Sequence, residues 1–140
     1  MGLERFLEAQ KDSYETALRE IKAGRKRSHW MWYIFPQIKG LGFSSIAQYY
    51  AIESFEEAVE YINHPVLGSR LLEITEALLT VDSNDPGRVM GYPDDLKLRS
   101  SLTLFYLASN KDVFKRVLDK FFNGEPDEKT MKILKMSFPK

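Results

Sequence analysis

Leu102-Thr103-Leu104-Phe105-Tyr106-Leu107-Ala108 carries almost no polarity, and it follows Gly91-Tyr92-Pro93-Asp94-Asp95-Leu96-Lys97-Leu98-Arg99-Ser100-Ser101 without a break. The upstream part reads as a helix entrance. Proline fixes the first dihedral, and the carboxylates of Asp94 and Asp95 favour the positive end of the helix dipole. Leu98, Leu102 and Phe105 then fall on one face. A helix this apolar beyond its first turns has to be covered by neighbours, so the spacing predicts a helical fold packed around it.

Working outward, the flanking segments repeat the helical period. Upstream, Ser54-Phe55-Glu56-Glu57 has the spacing of a capping box and is followed by Ala58, Val59 and Ile62 on one face. His64-Pro65 breaks the chain, and Leu67, Leu71, Ile74 and Leu78 form the next stripe. Residues 82–87 read as a turn. Downstream, Val113, Phe114, Val117, Leu118, Phe121 and Phe122 face inward on a helix that stops at Gly124, and a last short helix begins near Asp127 with Met131 and Leu134. At the other end, Leu3, Phe6, Leu7, Gln10, Tyr14, Ala17, Leu18 and Ile21 predict one amphipathic opening helix closed by Gly24. Ser44 or Ser45 caps a short helix through Ile46, Tyr49 and Tyr50.

One segment resists periodicity. Arg25-Lys26-Arg27-Ser28-His29-Trp30-Met31-Trp32-Tyr33-Ile34-Phe35-Pro36 passes from cationic to six consecutive large side chains. No second strand-like run exists to satisfy its backbone, so it is read as a short helix capped by Ser28 and ended near Pro36. Residues 37–43 read as a loop. The expected fold is all-α: one domain over residues 1–140, an irregular helical globule of six to eight helices without heptads.

Composition narrows the function classes. The 140 residues are 44% hydrophobic and 29% charged, the balance of a folded domain. Twenty basic residues offset twenty acidic ones, which disfavours general attraction to nucleic acid and leaves Arg25-Lys26-Arg27 as the one local patch. There is no cysteine, hence no disulfide, thiolate nucleophile or cysteine-based metal site, and two histidines give no metal spacing. The charged start of the chain does not read as a signal peptide, and no run approaches the roughly 20 apolar residues of a membrane span, so a cytoplasmic protein with no membrane partner is expected. No metal or cofactor is called for. Walker, dinucleotide, Gly-x-Ser-x-Gly, Ser-x-x-Lys and His-Glu-x-x-His signatures are absent.

Two segments carry polar groups beside apolar ones. In the first, Arg27 is a candidate for holding an anion while Trp32 stacks on a planar ring, with Gln37 as a further contact and His29 as a proton carrier near neutrality. Against this, the aromatics serve as core, and a lone histidine more often makes a local hydrogen bond. In the second, Asp94, Lys97 and Ser101 share a helix face at offsets of three and seven, with Ser100 adjacent. The competing reading is an Asp94 or Asp95 cap, an intrahelical Lys97 ion pair and serines that allow close helix packing. The candidate catalytic set is His29, Asp94 and Lys97; the candidate binding set is Arg27, Trp32, Gln37, Ser100 and Ser101.

Ser28-His29-Trp30-Met31-Trp32, Phe35-Pro36-Gln37, Gly40-Leu41-Gly42, His64-Pro65 with Leu67-Gly68, and Asp94 to Phe105 together resemble the domain-of-unknown-function 1810 family, small bacterial and fungal proteins sometimes labelled calpastatin. The resemblance runs from about Phe6 to Leu134. Leu102 stands where methionine is common, a volume-conserving change. The resemblance implies a mainly helical fold and no established activity. The calpastatin label is set aside, because such inhibitor chains are disordered and this one has a core. A fainter likeness, through the Asp94-to-Lys97 segment and Phe121-Phe122-Asn123-Gly124, is to a family proposed to act on NAD and ADP-ribose derivatives, and it implies a nucleotide-like ligand.

The combined expectation is a site for a small anionic or nucleotide-like ligand, such as one derived from ADP-ribose or NAD, with hydrolysis as its chemistry if His29 or Asp94 handles a proton. The alternative is a non-catalytic protein-interaction module. The first reading requires the His29 and Lys97 segments to meet.

Overall fold

The computed structural model describes residues 2–139, so Met1 and Lys140, the ends of the expected 1–140 domain, lie outside the described residues. Ten helices are present among the described residues: α1 Glu4–Gln10, α2 Tyr14–Lys22, α3 Met31–Ile34, α4 Ser45–Tyr49, α5 Phe55–Asn63, α6 Leu67–Leu79, α7 Pro86–Met90, α8 Asp94–Ser109, α9 Asp112–Phe122 and α10 Glu128–Leu134. The fold is all-α as expected. The count exceeds six to eight because several helices are only one or two turns long. Extended pairing among the described residues is limited to one parallel bridge between Ile38 and Ile52. No helix of the described residues is long and apolar enough to cross a membrane.

The centre is α8, where Leu98 and the run Ser100 to Phe105 are all buried. It packs against α5, α7, α9 and α10, while α6 lies against α2, α5 and α9. The core is one cluster in which Phe6, Trp30, Phe35, Tyr61, Phe105 and Phe114 are the largest of the fully buried side chains. Tyr61 meets Phe6 edge-on at 5.1 Å and Phe105 at 5.2 Å, so it links α1, α5 and α8.

Most helix boundaries follow their local signals. Ser54 Oγ accepts from the Glu57 amide at 3.1 Å, while Glu57 itself accepts from the Glu53 amide one residue outside the expected box. Asp127 accepts from the Thr130 amide and hydroxyl at the start of α10. Ser44 caps α4 through the Ala47 amide. Gly24, at φ +86°, closes α2 with its amide on Ile21 O.

Three expectations are corrected. The opening stripe occupies two helices, because the Ser13 amide reaches Gln10 O in a tight turn and polar Lys11-Asp12-Ser13 interrupts the ladder. Ser28 does not cap α3: its hydroxyl and amide both turn to the Glu20 carboxylate, eight residues back. The turn expected over 82–87 runs into α7, whose first residues Pro86 and Gly87 lie within it and which is capped by Asp85 through the amides of Gly87 and Arg88. His64 finds a structural use, its Nδ1 accepting from the Val66 and Leu67 amides at the start of α6.

Candidate functional site

The residues between α2 and α3 are fixed from below by α2. Glu20 accepts from the Arg27 and Ser28 amides, from Ser28 Oγ at 2.5 Å and from Trp30 Nε1 at 2.9 Å. Burial alone would raise its pKa, but the hydrogen bonds from Ser28, the Arg27 amide and Trp30 outweigh it and hold the carboxyl down at about 2. With the loop so tied, Lys26 points inward. Its amide donates to Val89 O, and its ammonium meets Ser28 O at 2.5 Å, Asp94 Oδ2 at 2.9 Å and the Trp30 ring at 4.9 Å.

Asp94 thus receives Lys26 on one oxygen and Lys97 on the other, the latter at 3.5 Å. Lys97 thus makes the intrahelical ion pair of the competing reading, and its ammonium also lies 5.2 Å from the centre of the Trp32 ring. The two polar segments therefore meet. Lys97 also lines a cleft of about 960 Å³, together with Gln37, Leu41, Phe43, Arg99 and Ser100 among others, and with residues 125–129 and Met131 as a further wall. Gln37, Gly42 and Ala47 continue into a small recess that Trp32 lines. A volume of this size holds a ligand of nucleotide dimensions.

Charge in the cleft is balanced and partly committed. Arg99 donates to Glu125 O at 2.8 Å and pairs with the Glu125 carboxylate at 3.3 Å. Asp127 is occupied by its cap on α10, and its amide donates to Thr103 Oγ1 at 2.8 Å. Ser100 returns its hydroxyl to Leu96 O at 3.2 Å. No hydrogen bond to another described residue engages the Gln37 amide or the Trp32 indole N–H. Donors left for a ligand include the Gln37 amide and the Lys97 and Lys129 ammonium groups on the cleft wall, and the indole of Trp32, which lines the adjoining recess.

The family model described as a protein of unknown function, DUF1810, matches residues 1–134 of the chain. The chain belongs to the DUF1810 family. A crystal structure of a similar protein, the conserved hypothetical protein Rv1873 from Mycobacterium tuberculosis, superimposes with a TM-score of 0.93 at 43% sequence identity, covering 96% of this chain and 97% of that one. Among curated proteins none matches.

In this DUF1810 chain the expected site residues divide into three groups. Gln37, Lys97 and Ser100 line the cleft, with Trp32 behind Lys97 and Asp94 anchoring it. Arg27 and His29 are exposed and line none of the described cavities; Arg27 contributes its backbone amide to Glu20, and His29 O accepts from Tyr33. Ser101 is only 1% exposed, and its hydroxyl has no partner within the protein. No group of three His, Cys, Asp or Glu residues among the described ones converges as a metal site would require.

The cleft also uses residues that the sequence reading passed over. Asp127 and Met131 read as a helix start and a stripe, and Glu125 carried no reading, since nothing in their spacing shows that they turn back onto α8. Phe43 was part of a loop. Its signal was available: a large apolar residue between Gly42 and a serine cap has no helix face to join.

Proposed function

We propose that the cleft between residues 37–47, the first turns of α8 and residues 125–131 binds a small anionic or nucleotide-like ligand, with Lys97 as the charge that holds the anion. The observation that carries this is the position of Lys97: lodged between Asp94 and the Trp32 ring, with donors to spare, on the wall of a cleft that Gln37 also enters. Because Asp94 is shared with buried Lys26, the group Lys26–Asp94–Lys97 keeps one positive charge beside the cleft. Ser100 and Gln37 supply neutral polar contacts. ADP-ribose and NAD derivatives are the ligands of choice in this reading, and the protein acts inside the cell.

Thermal unfolding of the full chain with ADP-ribose, NAD and AMP tests it. Binding at a hundredfold excess over the dissociation constant stabilises by about 2.7 kcal/mol, a shift that Lys97→Met should abolish. Equal melting temperatures with and without each compound at millimolar concentration would remove the reading. Hydrolysis extends it: chromatography of ADP-ribose and NAD incubated with the protein and with Asp94→Asn reports whether a bond is cleaved.

One observation favours the interaction module as a second reading. Phe43, just before the cap of α4, and Ile46 and Tyr49 on α4 are exposed at intervals of three residues. Concentration-dependent association that Phe43→Ser and Ile46→Ser reverse would support it over the ligand site.

A further inference from the structure

Phe43 is 81% exposed although it lines the cleft. Its backbone is not loose. Gln48 Nε2 donates to Phe43 O at 2.6 Å, Ser44 begins the cap of α4 immediately after it, and Gly42 lies so close to α4 that a Cβ there would stand 2.7 Å from the Ala47 Cβ. Main chain is held on both sides while the ring projects into the open. Leu96, on α8, lines the same cleft and is 47% exposed, and Leu41, Ala47, Pro93 and Met131 add apolar surface.

The cleft therefore has two chemically distinct parts. One part holds polar groups, the donors of Lys97 and Gln37 together with the charged wall of Glu125, Asp127, Glu128 and Lys129, and the other presents an anchored aromatic ring and aliphatic side chains. An inorganic anion would use only the first part. A purely apolar ligand would displace water from the Gln37 amide and from the Lys97 donors not turned to Asp94 without replacing it.

We propose that Phe43 is the ring-binding residue of this cleft and that its ligand joins a planar heteroaromatic ring to an anionic group, as a nucleoside monophosphate does. This rests on the ligand-binding reading above and adds the chemical class and the residue that selects it. The anion meets Lys97, with Gln37 accepting or donating beside it, and the ring lies on Phe43 with Leu96 as apolar neighbour. Base-on-aromatic stacking tolerates different bases, so the ring class is selected more strongly than its substituents.

The test is equilibrium titration of the full chain with AMP, nicotinamide mononucleotide and inorganic pyrophosphate, using wild type, Phe43→Ala, Phe43→Trp and Lys97→Met. Because Phe43 is exposed, its variants should retain the wild-type circular dichroism and melting temperature. Phe43→Ala is expected to weaken the nucleotides about tenfold or more and leave pyrophosphate unchanged, Phe43→Trp to restore them, and Lys97→Met to weaken all three. Nucleotide affinity unaffected by Phe43→Ala, with the Lys97 effect intact, overturns the ring assignment and spares the anion site. Failure of every probe to bind wild type at millimolar concentration overturns both. Loss of self-association in Phe43→Ala without loss of nucleotide binding also overturns it, in favour of a protein-contact role.

Discussion

Lys26 Nζ lies 2.9 Å from Asp94 Oδ2, with the two side chains 8% and 21% exposed. These residues belong to the two polar segments that border the candidate site, so the pair joins the α2–α3 connection to the first turn of α8. The basic run Arg25-Lys26-Arg27 is accordingly not a surface patch of three charges: its middle member is internal, and Arg25 and Arg27 alone face solvent. The arrangement supports the site indirectly, by fixing the carboxylate against which Lys97 rests.

Removing that ammonium leaves Asp94 with one partner and Ser28 O with none. Lys26→Met should lower the unfolding free energy by about 2–4 kcal/mol, less than for a fully sealed pair because Asp94 retains some solvent and Lys97. Urea denaturation measures this. A change below about 0.5 kcal/mol would show that the pair contributes no more than a surface ion pair does.

Glu20 makes stability depend on acid. In the folded protein its pKa is held at about 2, below the ordinary glutamate value of 4.5, so the stabilisation is present above pH 4.5 and is lost as pH falls from there through about 2. The difference corresponds to at most about 3 kcal/mol. Glu20→Gln should be less stable than wild type at pH 7, and the gap should narrow as pH approaches 2. Parallel stability-versus-pH curves for the two proteins would contradict the assignment.

The same residue shows where sequence reading stops. Several helix ends were legible from local signals: Gly24, Ser44, Ser54 and Asp127 each act within four residues of their own position, although Ser28 does not cap and the Asp85 cap reads as turn. So was the central place of α8, because its lack of polarity has only one physical resolution. Glu20 looked like a solvated position of an amphipathic helix, yet it holds Ser28 and Trp30 across a turn, and no periodicity reports that. The site was half legible for the same reason. Lys97 and Trp32 meet as the residue types suggested, whereas Arg27 and His29 face away because Glu20 and Lys26 orient their loop.

Among the glycines, Gly68 makes the closest approach to a neighbouring backbone. A Cβ there would stand 2.1 Å from Ile62 O, a backbone atom at the end of α5 that cannot rotate aside. Gly68→Ala must push α6 away from α5 and so disturb both beside α8. The expected cost is about 3 kcal/mol or more, a fall in Tm on the order of 10 °C. A melting temperature within about 2 °C of wild type would mean that the helices separate freely.

Ser101 separates the two readings of the Asp94-to-Ser101 face most directly. It lies on the expected face, one turn beyond Lys97, but it is buried, absent from the cleft wall, and its hydroxyl lacks a protein partner. An unpaired buried hydroxyl costs stability, and alanine is the better helix former. Ser101→Ala should therefore gain up to about 1 kcal/mol, raising Tm by about 2–4 °C, and should bind AMP as wild type does. Ser100, whose hydroxyl is returned to Leu96 O at the cleft wall, serves as the comparison: Ser100→Ala should leave stability within about 1 kcal/mol. A Ser101→Ala protein that melts lower, or that loses nucleotide while Lys97 remains, would return Ser101 to the site.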